Sequence, residues 1–191
     1  MRQIQDDPQS GVHTCPWWVG YWFDNPVRGW VHKPENVFRG LVRPGDAVAD
    51  IGCGGGHFSL GLAQIVGAEG RVMAVDLQEK MLDRVRRRAV RRGLDEVIEL
   101  RQCGERELGL DPELDFALAF WMVHEVSGQD RFFAEVRSAL KPSGHFFVAE
   151  PRGHVTAAAF EKMIVAAEEA GLSTVSRQRV RFSRAAVFSP R

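Results

Sequence analysis

The sequence predicts an α/β fold with a mostly parallel sheet and helices on both of its faces. After Gly45, short apolar and β-branched runs alternate with amphipathic stretches of helical period, which is typical of strand–helix–strand units. Two β-rich runs near the end of the chain indicate a hairpin, so the last strand should be antiparallel. With 45% apolar and 26% charged residues, the composition is that of an ordinary globular domain.

The individual elements follow from periodicity and turn residues. The predicted strands cover Ala47–Ile51, Arg71–Val75, Val97–Leu100, Asp115–Phe120, His145–Ala149, Val175–Phe182 and Ala185–Phe188. The predicted helices cover Pro34–Val42, His57–Val66, Gln78–Arg92, Asp130–Leu140 and Thr156–Ala170. Gly171 is expected to stop the last helix. Ser183 and Arg184 form the only break in the terminal hairpin, so we expect the turn there.

The first part of the chain lies outside this alternation. The 191 residues predict one domain with a modest appendage, since domains average about 150 residues. We assign residues 1–33 to a tail and an aromatic-rich cap, and residues 34–191 to the α/β domain. Four of the five tryptophans fall in residues 15–31, where Pro and Gly interrupt any long helix. We interpret this stretch as a lid over a pocket; a hydrophobic strap packed on the core is the alternative.

Charge and cysteine usage disfavour several functional classes. Lys plus Arg and Asp plus Glu number 25 each, so the formal net charge is zero and nucleic acid is a poor candidate partner. The basic run in residues 80–92 is typical of a solvated helix face. Three cysteines without paired spacing indicate a reducing compartment. No stretch has the roughly 18 apolar residues of a membrane span, so we expect a cytoplasmic protein without a membrane partner.

A glycine-rich turn between the first predicted strand and its helix carries the strongest chemical signal. Its sequence is DIGCGGGHF, beginning at Asp50. Glycines allow a sharp turn and a close approach of the backbone to a ligand, and the following helix presents unpaired N–H groups. A dinucleotide fingerprint would need a third glycine at His57, so this spacing differs from it. Asp76 ends the next strand, where an acid can bind ribose hydroxyls.

Four segments together identify a family. DIGCGGG, AVDLQEKML, LDFALAFWMVHEV and LKPSGHFFVAEP resemble motifs of the class I S-adenosylmethionine-dependent methyltransferases. The resemblance covers about residues 34–191 and is nearest to the small-molecule enzymes of the ubiquinone/menaquinone-biosynthesis and type-11 kind. It implies a doubly wound, Rossmann-like, seven-stranded sheet with an antiparallel C-terminal strand. It also implies S-adenosyl-L-methionine as the cofactor and a small-molecule methyl acceptor.

The resemblance assigns the cofactor site residue by residue. Asp50 resembles the acid that orients the turn, Asp76 the ribose-binding acid, and Leu77 the residue that packs on adenine. Many relatives bind the adenine amino group through an Asp where this chain has Gly104, so Glu105 is the candidate replacement. The whole predicted cofactor site consists of Asp50, Gly52, Cys53, Gly54, Gly56, Asp76, Leu77, Cys103, Gly104, Glu105 and Phe120.

The acceptor should lie over the carboxyl ends of the fourth and fifth strands. Methyl transfer from a sulfonium needs a positioned nucleophile, and a base only if the acceptor loses a proton. The predicted catalytic residues are His124, Glu125 and Glu150; a helix cap, a core hydrogen bond or a salt bridge is the structural alternative for them. The predicted acceptor-binding residues are Cys15, Trp17, Trp18, Trp22, Trp121 and His154.

Other functions stay open at this point. The missing adenine-binding Asp leaves room for a protein that binds S-adenosylmethionine without transferring its methyl group. Cys15 and Cys103 are compatible with a metalloid or thiol methyltransferase, although that family's cysteine pattern is absent. No tight ligand motif joins His13, Cys15, His124 and His154, so no metal site is predicted. His57 argues against a nicotinamide oxidoreductase.

Overall fold

One sheet of seven strands organises residues 32–191, the part of the chain that the computed structural model describes. The strands are β1 (Ala47–Ile51), β2 (Arg71–Asp76), β3 (Ile98–Gln102), β4 (Leu114–Phe120), β5 (Leu140–Pro151), β6 (Leu172–Gln178) and β7 (Ser183–Pro190). Their order across the sheet is β3-β2-β1-β4-β5-β7-β6. The first five pair in parallel, and β7 lies antiparallel between β5 and β6. The predicted fold class is therefore confirmed.

Helices cover both faces of this sheet. They are α1 (Pro34–Val37), α2 (His57–Val66), α3 (Glu79–Val90), α4 (Gln129–Ala139) and α5 (Ala157–Glu169), with a short 3-10 helix at Val123–Glu125. Apolar residues of α2 and α3 form a core with one face, and those of α4 and α5 form a core with the other. Because β1, β2 and β4 are buried on both faces, they are almost continuously apolar, as central parallel strands usually are.

Several predicted boundaries were wrong where tertiary contacts decide them. The helix from Pro34 ends at Val37 rather than Val42, since the next residue, Phe38, turns its ring into the core against Phe58, Phe116 and Phe147. The fifth strand begins at Leu140, where it pairs with Leu114 before a register shift. Residues 141–144 are thus an irregularity within a strand and not a loop before it.

The terminal hairpin also turns at a different place. Ser183 and Arg184 are not the turn, because they pair with Pro151 and Glu150 of β5 as the first residues of β7. The chain reverses over residues 179–182 instead, with Phe182 in the left-handed backbone region. The earlier strand therefore ends at Gln178 and begins at Leu172. Within residues 32–191, no helix is both long and apolar enough to cross a bilayer.

Candidate active site

A cavity of about 910 Å³ opens at the carboxyl ends of the parallel strands, where strand order reverses around β1 and β4. Most of the predicted site residues within the described part of the chain line it: Asp50, Gly52, Cys53, Gly54, Asp76, Leu77, Cys103, Gly104, Glu105, Phe120, Trp121, His124, Glu125 and His154. Gly56 and Glu150 stand behind its wall. The sheet thus brings together residues that are far apart in the sequence.

The glycine-rich turn forms one end of the cavity and requires its glycines. Gly52, Gly54 and Gly56 all have positive φ, at 69°, 51° and 79°, a region that side chains other than glycine's rarely adopt. The N–H of Gly52 donates to Val75 O at 2.8 Å, which ties the turn to β2. Space is a second constraint at Gly52, since a Cβ there would lie 2.8 Å from Cγ of Met122. Gly56 caps α2 and would meet Val85.

Asp76 links this turn to the end of β2. One oxygen of its carboxylate accepts from the N–H of Gly54 and the other from the N–H of Gln78, both at 2.9 Å. Burial raises the pKa of Asp76, and the hydrogen bonds from Gln78 and Gly54 oppose that shift. The side chain therefore acts as a buried acceptor at the point where the turn and the strand end meet.

Asp50 is fixed just before the turn. It is 2% exposed, and the hydroxyl of Ser59 on α2 donates to it at 2.5 Å. This hydrogen bond joins the end of β1 to the first turn of the following helix. The predicted role of an acid that orients the turn fits this position.

The segment after β3 forms the side of the cavity opposite the turn. Cys103 and Gly104 both line the cavity. The N–H of Cys103 donates to Asp76 O at 3.1 Å and that of Gly104 to Glu107 O at 2.9 Å, which fixes the segment. Burial raises the pKa of the Cys103 thiol to about 11 and that of Cys53 well above its ordinary value. Because the thiolate is the nucleophilic form, neither thiol is activated.

Glu135 is a site residue that the sequence did not reveal. From α4 it accepts hydrogen bonds from the N–H groups of Leu108 and Gly109, at 2.8 to 3.0 Å, and so holds the loop after β3. Its carboxylate also lines the cavity. No sequence signal marks it, because its partners lie more than 25 residues away on another element.

His124 and Glu150 meet where β4 and β5 end. Glu150 is fully buried at the end of β5. Its Oε1 accepts from the N–H of Val123 at 2.8 Å, and its Oε2 lies 2.5 Å from Nδ1 of His124. Glu125 reaches within 3.9 Å of the other ring nitrogen, Nε2, and the His154 ring centroid is 6.1 Å away. The hydrogen bond with Glu150 raises the pKa of His124, although burial opposes the shift.

Two aromatic residues of the cavity wall have unusual backbones. Trp121 and Phe182 both adopt positive φ, at 63° and 59°, which bulky side chains do only when the surroundings impose it. Ser183, fully buried at the start of β7, connects them: it accepts from Nε1 of Trp121 at 2.8 Å and directly follows Phe182. Trp121 was predicted to face the acceptor, whereas Phe182 and Ser183 were missed because the turn was placed elsewhere.

His32 is a further residue without a sequence signal. It is 1% exposed and packs edge-on against the rings of Phe120 and Trp121. Its Nε2 donates to Arg181 O at 2.8 Å, and its carbonyl accepts from Nε2 of His57. The predicted acceptor residues Cys15, Trp17, Trp18 and Trp22, and with them the lid of residues 15–31, lie outside the described residues.

The balance of charge favours a cationic ligand. Among the described residues that line the cavity, six carry carboxylates and two, Arg106 and Arg131, carry guanidinium groups. This excess of carboxylates over guanidinium groups gives the cavity a negative potential, which attracts a cation. No group of three His, Cys, Asp or Glu side chains within residues 32–191 could hold a metal ion.

Comparison with known proteins gives a consistent result. A family model described as "Methyltransferase domain" matches residues 48–144, just over half of the chain. The chain is 33% identical to a demethylmenaquinone methyltransferase of Symbiobacterium thermophilum over 61% of its own length and 47% of that protein. It is 32% identical to a ubiquinone/menaquinone biosynthesis C-methyltransferase of Teredinibacter turnerae over 57% of this chain and 44% of that one. The chain thus spans about half the length of these curated relatives.

Solved structures share the fold. A SAM-dependent methyltransferase from Aquifex aeolicus superposes with a TM-score of 0.83, at 22% identity, over 93% of this chain and all of that one. A TehB-like SAM-dependent methyltransferase from Corynebacterium glutamicum superposes with a TM-score of 0.73, at 15% identity, over 91% and 96% of the two chains. At these identities the likeness concerns the arrangement of helices and strands.

Proposed function

The chain belongs to the methyltransferase-domain family, and we propose that it transfers a methyl group from S-adenosyl-L-methionine to a small-molecule acceptor. The observation that carries this proposal is the joint position of Asp76 and the glycine-rich turn. The carboxylate and two left-handed glycines, Gly52 and Gly54, meet at one end of a cavity whose charged lining residues are mostly acids. A cationic cofactor with a ribose fits this set of groups.

Each part of the cofactor has proposed partners in this chain. Asp76 would accept hydrogen bonds from the ribose hydroxyls, and the backbone of Gly52 and Gly54 would face the amino-acid part. Leu77, Cys103 and Gly104 would enclose adenine, with Glu105 as the polar partner at that edge. The bound cofactor supplies a methyl group on positively charged sulfur, which needs no further activation by the protein.

A small acceptor is supported by charge and by the lining of the cavity. The chain as a whole is neutral, which disfavours nucleic acid as the acceptor. Phe120, Trp121 and Phe182 surround the acceptor side with aromatic surface. The curated relatives are named for demethylmenaquinone and for ubiquinone/menaquinone biosynthesis. We therefore propose a flat ring compound, of the size of a quinone ring, as the acceptor.

Calorimetry with S-adenosylmethionine and its demethylated product tests the cofactor proposal. Asp76→Ala should weaken binding by about 1.5–3 kcal/mol, the range for hydrogen bonds to charged groups, which is about 10- to 150-fold in Kd. Asp95→Ala is the control, because Asp95 is exposed and does not line the cavity. Binding that is absent in the wild type would contradict the proposed function. Equal affinity of wild type and Asp76→Ala would contradict the position of the ribose.

A further inference from the structure

The hydrogen bonds of Glu150 determine which nitrogen of His124 carries a proton. Glu150 is fully buried, and its two oxygens face two different groups, the N–H of Val123 and Nδ1 of His124. A carboxylate only accepts hydrogen bonds, so the neutral ring must carry its hydrogen on Nδ1. The lone pair of the neutral imidazole is therefore on Nε2.

Nε2 is the ring nitrogen that does not face Glu150, and the side chain that bears it lines the cavity. His124 lines the cavity and exposes 26% of its side chain, while Glu150 behind it exposes none. The titratable groups that face His124 are Glu150 from β5, Glu125 from its own 3-10 helix, and His154 from the segment after β5. Both carboxylates favour a positive charge on the ring. An imidazolium formed at this place would thus be stabilised from two sides.

We propose that His124 is a catalytic residue that removes a proton from the acceptor through Nε2, with Glu150 as its positioning residue. The acceptor is then a molecule whose nucleophile bears a proton. The aromatic residues of the cavity wall favour a flat ring, and a hydroxyl on such a ring is the proton-bearing group of the proposal. This inference rests on the proposed function and adds the chemical class of the acceptor to it.

The proton and the electron pairs balance in this step. The ring hydroxyl gives its proton to Nε2 of His124, and its oxygen, or a ring carbon conjugated with it, forms the new bond to the methyl carbon. The bond between methyl carbon and sulfur breaks, and sulfur keeps the electron pair. After attack through carbon, the hydrogen on that carbon leaves as a proton and the hydroxyl is restored. The proton on Nε2 passes to water once the product leaves.

Glu150→Gln should place the proton on the wrong nitrogen. The side-chain oxygen of Gln can accept from Val123 N–H, but its NH₂ group then faces Nδ1 and requires a lone pair there. The hydrogen of the neutral ring moves to Nε2, which can no longer act as a base. The loss of negative charge also lowers the pKa of His124. If Glu150 only packed beside His124, replacing it by Gln would produce neither effect.

The first experiment follows the histidine ring directly by NMR titration, with His124 assigned from the spectrum of His124→Asn. In the wild type, the pKa of His124 should lie above 6.5, the ordinary value for histidine. In Glu150→Gln, the midpoint should fall by about one pH unit or more. A midpoint that this substitution leaves unchanged would overturn the role of Glu150. This readout requires neither cofactor nor acceptor.

The second experiment measures formation of S-adenosylhomocysteine with two flat probes. Naphthohydroquinone, kept reduced, has hydroxyl protons to lose, whereas quinoline offers a ring nitrogen without one. We expect turnover with naphthohydroquinone alone. His124→Asn should lower kcat by about 10²- to 10⁴-fold, the usual contribution of a general base, with the Kd for S-adenosylmethionine unchanged. In Glu150→Gln, kcat should fall and the acid limb of its pH profile should move to lower pH.

His145→Asn is the matched control, because His145 lies on the same strand, five positions before Glu150, and does not line the cavity. It should leave kcat and the pH profile unchanged. Turnover that His124→Asn does not reduce, turnover with quinoline alone, or no turnover with either probe would overturn this inference. Only a failure to bind S-adenosylmethionine would also overturn the cofactor part of the proposed function, so the two failures are distinguishable.

Discussion

At the scale of single residues, the contact between His124 and Glu150 makes stability depend on pH. The folded-state pKa of His124 is raised above its ordinary value by the hydrogen bond with Glu150. A group of this kind stabilises the fold fully below its unfolded-state pKa, and the stabilisation is lost as the pH rises through the folded-state value.

We therefore expect His124→Asn to lose more stability in mildly acidic than in alkaline solution. Urea unfolding of both proteins at about pH 6 and about pH 9 would measure this. The difference in unfolding free energy between wild type and variant should be larger at the lower pH. His145→Asn corrects for the general effect of removing a histidine. A difference that is the same at both pH values, or larger at the higher one, would mean that the pair does not form in solution.

The individual side chains differ in how far the sequence could predict them. The positions of Asp50 and Asp76 were predictable because Asp50 directly precedes the glycine-rich turn and Asp76 ends the strand that follows. Glu135, Ser183 and His32 were not, because each acts through a partner on a distant segment. Glu150 was predicted from its place at a strand end, but its partner His124 became known only once β4 and β5 were paired.

At the scale of elements, the glycine-rich turn allows two effects to be separated. Gly52→Ala and Gly54→Ala both place a Cβ on a left-handed backbone, which costs about 1–2 kcal/mol. Only at Gly52 does the Cβ also collide with Met122; nothing lies within 4 Å of a Cβ at Gly54. Urea unfolding should find Gly52→Ala less stable than Gly54→Ala by about 1–3 kcal/mol, the range for overpacking. An equal loss of unfolding free energy in the two variants would show that the Met122 side chain moves without cost to make room for the Cβ.

The terminal hairpin contributes to the site through Ser183. In Ser183→Ala, Nε1 of Trp121 loses its acceptor on β7, which should cost about 1–2 kcal/mol of unfolding free energy. Ser189→Ala on the same strand is the control, since Ser189 is only half-buried and lies far from Trp121. A loss of stability no greater than that of Ser189→Ala would mean that this hydrogen bond does not hold the indole in place.

The elements themselves were predicted well where periodicity decides them. β1 and α2 have the predicted bounds, and β2, β3 and β4 differ by one or two residues. The hairpin was less predictable, because its turn depends on how far β7 pairs with β5. That pairing extends to Pro151, so Ser183 and Arg184 became part of the strand. A pattern of apolar residues does not contain this information.

At the scale of the whole molecule, the charges are unevenly distributed although they sum to zero. The formal net charge is zero, yet carboxylates predominate around the cavity while α3 carries a run of arginines. The net charge could be read from the sequence but its distribution could not, because the six acids of the cavity come together from five separate segments only in the folded chain. The fold class could be predicted from the sequence, because the alternation of strands and helices restricts the topology to few choices.

The tight approach of Gly52 to Met122 has a kinetic consequence. These residues follow different strands, and Met122 stands next to Trp121 and two positions before His124. Met122 therefore connects the glycine-rich turn with the segment that bears His124. For the proposed methyl transfer we therefore expect ordered binding, with S-adenosylmethionine before the acceptor and release of the two products in the reverse order, which product-inhibition kinetics would measure.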